Sequence, residues 1–304
     1  MKEKHMKEFI TKLKEVLSEM VEEGTRIDIH ETVKNNDVSY PAITLMPKGI
    51  NGAPSIRLDG FYYDYLEGRN IEEIAEAIFS ISEPMQDSGF DMEDFLDFDS
   101  AKENILFRVV GYKQNSKRLS EIPHVRFLDL AITFYYMLER EEGSDVVASI
   151  QIQNEHLEIW EVDTETLYDI AVENTVEKMP IRIRGVFEVL TEALHIDKFK
   201  TVPDYKGSMY VLSNEKNFYG AASICYPEVL KEAAEHFDAD LYIIPSSVHE
   251  VLLFPVGKGD QSDVSYFNET IRDINMVHVA AEEVLSDHLY YYDRERDELM
   301  IPSL

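Results

Sequence analysis

Over residues 3–46 the apolar period changes from that of a helix to that of a strand, and this limits the chain to folds that mix both elements. Phe9, Ile10, Leu13, Val16, Leu17, Met20 and Val21 recur at spacings of three and four, which makes one helical stripe. Gly24 follows where a C-terminal cap belongs. Ile27 and Ile29 then alternate with polar neighbours, and Ala42-Ile43-Thr44-Leu45-Met46 is a second short apolar run. Both are expected to be strands, joined by a turn at Asn35-Asn36-Asp37.

The same grammar continues downstream. Ser55-Ile56-Arg57-Leu58 is expected to form a strand, followed by a helix over 70–82 with Asn70 placed as its cap. Ile105–Val110 is a further strand. Phe127–Leu138, apolar and aromatic almost throughout, suits a central strand covered on both faces. Ser149–Ile152 and Leu157–Trp160 are expected to pair as a hairpin about Asn154, with helices at 163–178 and 183–194 beyond them. In the last third, strands are expected at 209–212, 241–244 and 251–254, helices from Pro227 to His236 and from Val264 to Met276, and a terminal hairpin from Tyr290. The fold class is therefore α+β, with mixed or antiparallel sheets flanked by helices. Strand–helix units at 55–82 and 149–178 raise a possible internal repeat. A polar link at 196–207 suggests two α+β domains, residues 1–200 and 201–304.

Charge decides which partners are excluded. Of the 304 residues, 59 are Asp or Glu and 29 are Lys or Arg, a formal net charge of -30. That field repels phosphate backbones and anionic lipid, and it favours protein partners with basic surfaces. Neither direct nucleic-acid binding nor membrane association is expected. The N-terminus interleaves acidic and basic residues and lacks the apolar run of a secretion signal, so a cytoplasmic location is expected. One cysteine, Cys225, cannot form an internal disulfide.

Residues 70–101 hold ten carboxylates and no Lys or Arg. Here Asp91, Glu93, Asp94 and Asp97 alternate with Phe90, Phe95, Leu96 and Phe98. One reading is a short amphipathic helix with a solvated face. The other is a docking segment for a basic partner through Asp91, Glu93, Asp94, Phe95 and Asp97.

Candidate ligand-binding residues cluster in Pro245-Ser246-Ser247-Val248-His249-Glu250, between two apolar strands. Ser246, Ser247, His249 and Glu250 are of the types used in nucleophilic catalysis, but no Gly-x-Ser-x-Gly elbow is present, and a turn accounts for the same residues. The nine histidines show no metal-ligand spacing; His195 and His236 sit where a cation favours a helix C-terminus. Cys225 precedes a helix start, a place that can activate a thiol, yet its small apolar neighbours favour an inert buried one. Gly257-Lys258-Gly259-Asp260 lacks phosphate-loop spacing, and Tyr62–Tyr65 and Tyr290–Tyr292 are expected to be aromatic core edges and not stacking platforms for nucleic acid. No catalytic residue, metal or cofactor is assigned.

Five strings carry a family resemblance: Ser55-Ile56-Arg57-Leu58-Asp59-Gly60-Phe61-Tyr62-Tyr63-Asp64-Tyr65, Phe127-Leu128-Asp129-Leu130-Ala131, Tyr219-Gly220-Ala221-Ala222-Ser223-Ile224, Pro245–Val251 and Glu283-Val284-Leu285-Ser286-Asp287. Over its whole length the chain resembles a domain-of-unknown-function family of anaerobic, gut-associated Gram-positive bacteria. The resemblance implies a bacterial cytoplasmic origin and brings no activity or catalytic residue. The leading functional expectation is a non-catalytic interaction or regulatory protein. The alternatives are an acidic decoy that imitates nucleic acid and a hydrolase that uses the 245–250 loop.

Overall fold

The computed structural model describes residues 2–48, 53, 55–86, 91–138, 148–193, 209–245, 247–257 and 264–303. It divides into two compact units. The first is built from the chain up to Lys34 and from Val38–Asp97; the second from Asn35–Asp37, Phe98–Met137 and the chain from Asp145 onward.

In the first unit, helix α1 (Lys2–Met20) precedes strands β1 (Arg26–Val33), β2 (Ser39–Met46) and β3 (Ile56–Arg57), and helices α2 (Asp59–Leu66), α3 (Ile71–Gln86) and α4 (Met92–Leu96) follow. The three strands form one antiparallel sheet in the order β1-β2-β3, with Ile27 opposite Leu45 and Ile29 opposite Ile43. The helical stripe buries as its spacing requires. Phe9, Leu13 and Leu17 pack with Ile43 and Leu45 of β2 and Ile74, Ala75 and Ile78 of α3.

The second unit opens with the single turn α5 (Phe98–Ala101) and strands β4 (Ile105–Gly111), β5 (His124–Phe127), β6 (Leu130–Leu138) and β7 (Ala148–Gln151). They form one sheet in which β6 is paired by β4, β5 and β7. The long apolar run at 127–138 is thus central, as expected, but it is split. Leu128, at φ 54°, and Asp129 make a tight reversal between β5 and β6. No glycine marks that turn, so the sequence shows one strand where there are two.

Helices α6 (Asn154–Trp160) and α7 (Thr164–Lys178) come next. Leu157–Trp160 is helical and not the second arm of a hairpin. Gln153 and His156 cap each other's backbone reciprocally, and Trp160 is buried against Phe98 while Ile159 faces solvent. The α7 boundaries agree with the sequence reading: the Asp163 carboxylate accepts the Thr166 N–H at 2.8 Å. Its Thr175 hydroxyl then accepts the Phe107 N–H of β4 at 3.0 Å, locking helix to sheet.

A second sheet contains β8 (Ile181–Gly185), β9 (Tyr210–Asn214), β10 (Asp240–Ile244), β11 (Val251–Val256), β12 (Tyr290–Asp293) and β13 (Glu298–Met300), in the order β13-β12-β10-β11-β9-β8. Helix α8 (Val186–Ala193) follows β8, α9 (Val229–Phe237) precedes β10, and α10 (Val264–His278) lies between β11 and β12. The expected helix from 183 therefore starts at Val186. Ile181 and Ile183 alternate with Arg182 and Arg184, a strand period, and the strand pairs with β9 from Ile181↔Asn214 to Gly185↔Tyr210. The polar link at 196–207 lies outside the described residues, and the strands on its two sides, β8 and β9, are neighbours in one sheet. Among the described residues the strand ladders are antiparallel, which makes the fold α+β. The orders β3–α2–α3 and β7–α6–α7 are alike. Among the described residues no helix is long and apolar enough to cross a membrane.

Candidate functional site

The expected ligand loop closes the β10–β11 hairpin, with Ile244 opposite Leu252. Ser246 and the loop at 258–260 lie outside the described residues. The Ser247 hydroxyl accepts the His249 N–H at 3.0 Å, as turn serines do, and Ser247 bridges to Val284. The His249 carbonyl accepts the Ser213 hydroxyl at 2.8 Å. The ring is held from both sides: Nδ1 accepts the Tyr219 N–H at 3.4 Å and Nε2 lies 3.8 Å from the Glu283 carboxylate. A base for a serine nucleophile needs the hydroxyl at one ring nitrogen and a carboxylate at the other. Here a backbone amide occupies the place of the hydroxyl. Glu250 enters none of these bonds.

His249 instead supports Tyr219. The two rings are parallel within 6°, with centroids 5.9 Å apart. Tyr219 holds a left-handed backbone at φ 51°, and the next residue must be glycine. A Cβ on Gly220 would fall 2.0 Å from the Ser213 hydroxyl, 2.5 Å from the His249 carbonyl and 2.8 Å from the Asn214 amide nitrogen. These contacts press the 219–220 segment against β9 and the His249 loop.

Tyr219 in turn meets the first of two neighbouring arginines that sequence reading did not single out. Arg108, in the middle of β4, is 9% exposed, and its guanidinium lies over the Tyr219 ring at 4.6 Å. Its Nη1 donates to the Tyr219 hydroxyl and its Nη2 to Oε1 of Gln151, in β7, at 2.6 Å. Arg118 donates Nη2 to that same oxygen at 3.2 Å. Gln151 cannot turn away, because its Nε2 donates to the carbonyls of Phe134 at 2.7 Å and Ile152 at 3.2 Å.

Two guanidinium groups thus converge on one neutral amide oxygen. Among the described residues no carboxylate forms an ion pair with either. The physical consequence is visible at Arg118. Burial, then the charge of Arg108, lowers its pKa to about 10, only partly opposed by Tyr219, Asp37 and Glu121. Two buried polar atoms of this sheet lack a hydrogen-bond partner among the described residues, Arg108 Nε and the Thr133 hydroxyl. Arg108 and Thr133 are cross-strand partners, so their side chains share one face. Arg118, Gln151, Tyr219 and His249 are only partly buried, which leaves the cluster reachable from solvent.

A second polar network forms around Asp129, at the β5–β6 reversal. Its carboxylate accepts the Ser286 hydroxyl at 2.7 Å, His288 Nδ1 at 2.8 Å and the Tyr290 hydroxyl. Ser, His and Asp meet here, but not in a catalytic order. Ser286 Oγ approaches the same ring nitrogen as Asp129, at 3.5 Å, and gives its proton to the carboxylate. Burial, and then the Asp129 charge, pushes the Tyr290 phenol well above its usual range. The network ties the β5–β6 turn to the strand end before β12.

The other singled-out residues have local roles. Asp91 caps α4 by accepting the Glu93 N–H at 2.8 Å; Glu93, Asp94 and Asp97 are exposed, and Phe95 is 2% exposed and faces the interior. Phe90 and His195 lie outside the described residues. His236 is in the last turn of α9, and burial pushes the Cys225 thiol up. No group of three His, Cys, Asp or Glu placed to hold a metal occurs among the described residues.

Fold and site together define an α+β protein with a sheet-borne cationic cluster inside a strongly acidic chain. The chain belongs to a family of unknown function, DUF5688, whose profile spans residues 6–294. No curated protein and no solved structure gives a significant match.

Proposed function

We propose that this chain is a non-catalytic regulatory protein that binds an anionic ligand at the Arg108–Arg118 cluster. One observation carries the reading: two guanidinium groups, one of them almost fully buried, share a single neutral acceptor and have no described carboxylate partner. A buried charge without a counter-charge is strongly destabilising, and a bound anion supplies the missing half. Among the described residues neither His249 nor His288 stands between a hydroxyl nucleophile and a carboxylate, which favours binding over turnover. The 245–250 loop takes part through His249, which positions Tyr219 and, through it, Arg108. A bacterial cytoplasmic setting and a protein partner with a basic surface, docked by the carboxylates around α4, belong to the same reading.

Thermal unfolding with a panel of small carboxylates, phosphates, amines and neutral sugars tests it. Anions should raise the midpoint saturably, and amines and sugars should not. Arg118→Gln should remove the response while the protein stays folded. A wild-type midpoint indifferent to every anion would defeat the reading.

A further inference from the structure

We propose that the group recognised by the Arg108–Arg118 cluster is a dianion of the phosphate class and not a simple carboxylate; this rests on the anion-binding reading above. The argument is one of charge and donor count. Both guanidinium groups carry a full charge at neutral pH, so the cluster presents two positive charges around one uncharged oxygen, Gln151 Oε1. A carboxylate would leave one of them uncompensated in a partly desolvated place. A phosphate or sulfate dianion compensates both charges and offers oxygens for a bidentate contact with the Arg118 fork.

The donors that meet that demand from solvent are those of Arg118, with two unpaired polar atoms buried behind it. Arg108 has already committed Nη1 to Tyr219 and Nη2 to Gln151, and its Nε is buried without a described partner. The Thr133 hydroxyl on the same sheet face is likewise without one. Arg118 has one described bond, through Nη2, which leaves the rest of its fork available on the solvent side. Gln151 is pinned by two backbone carbonyls, so it acts as a fixed neutral spacer that holds the two cations together in advance. An internal Asp or Glu at its place would have neutralised the pair permanently. The face of Tyr219 is already covered by Arg108, so recognition is through charge and not through stacking of a ligand ring.

The test uses the full chain and inorganic probes at matched ionic strength. Phosphate, sulfate and acetate are titrated against wild type and Arg118→Gln at roughly pH 8.5 and 5.5, on either side of the second ionisation of inorganic phosphate. At the higher pH, phosphate and sulfate should bind saturably, with acetate about tenfold weaker or more. At the lower pH, phosphate should weaken and sulfate should not. Arg118→Gln should lose about tenfold or more for both dianions. A general salting effect would instead rise without saturation, equally in both proteins, and would count against the site. Should Arg118→Gln fail to fold, Arg118→Lys keeps the charge, loses the fork, and should still weaken the dianions. Acetate binding as tightly as phosphate would overturn the dianion assignment and leave the anion-binding reading standing. No saturable binding of any of the three would overturn both.

Discussion

Gly220 shows how closely a residue without a side chain can govern a site. Its position is set from three sides by Ser213, His249 and Asn214, and two of those three neighbours are backbone atoms that cannot swing aside. Gly220→Ala should therefore destabilise the second unit by at least about 1–3 kcal/mol, the range for overpacking a full interior. It should also weaken phosphate binding, because Tyr219 and with it the Arg108 guanidinium would shift. Gly60 is the control: a Cβ there meets nothing within 4 Å, so Gly60→Ala should leave both midpoint and phosphate binding unchanged. Chemical unfolding and a phosphate titration on both variants would check this pair, and equal effects would refute the steric argument. Gly220 is visible in the sequence only as one small residue in Tyr219-Gly220-Ala221-Ala222. Its constraint comes from β9 and from the loop at 249, which the chain places beside it only on folding.

At the scale of elements, α4 separates two roles that the sequence leaves mixed. Its acidic and aromatic residues alternate in the chain, but Phe95 turns into the interior while Glu93, Asp94 and Asp97 stay exposed. The carboxylates, together with the exposed Leu96, are what a partner can reach. Replacing Asp91, Asp94 and Asp97 with Asn and Glu93 with Gln should weaken capture of a basic partner from the native host. The unfolding free energy should stay within about 0.5 kcal/mol, the usual range for surface changes. Asn keeps a side-chain oxygen at position 91, so the cap on the Glu93 N–H survives the substitution. An unchanged captured set would leave α4 as a solvated face. Elements with a long, regular stripe, such as α1, were legible because the period repeats over five turns. Short ones were not. Residues 157–160 alternate as a strand would, and only the reciprocal Gln153–His156 cap and the burial of Trp160 decide for a helix. Residues 181–185 alternate truly, yet run without a break into α8, so the helical residues behind them obscured the strand.

At the scale of the whole molecule, two electrostatic ranges act at once. The net charge of -30 sets the long-range field, and at physiological salt that field decays over about 8 Å. The paired arginines act inside that distance, on a group already in contact. A small dianion can thus be held locally by a chain that repels an extended polyanion, whose charges would lie along the acidic surface. Duplex DNA should accordingly show no binding in a gel-shift at physiological salt; a submicromolar shift would refute this. The sequence by itself determined the α+β class, the acidic field, the α1 stripe, the extent of α7, and the β10–β11 and β12–β13 hairpins. Each follows from residues within a turn or two of one another, or from a sum over the chain. Tertiary structure alone decided the cationic cluster. Arg108, Arg118, Gln151, Tyr219 and His249 come from β4, a turn, β7, the approach to Gly220 and the β10–β11 loop, and no local pattern links them. An arginine in an apolar strand reads as an exposed interruption until the sheet closes over it. Only then does its burial, with no carboxylate partner among the described residues, give the proposed anion site its physical reason.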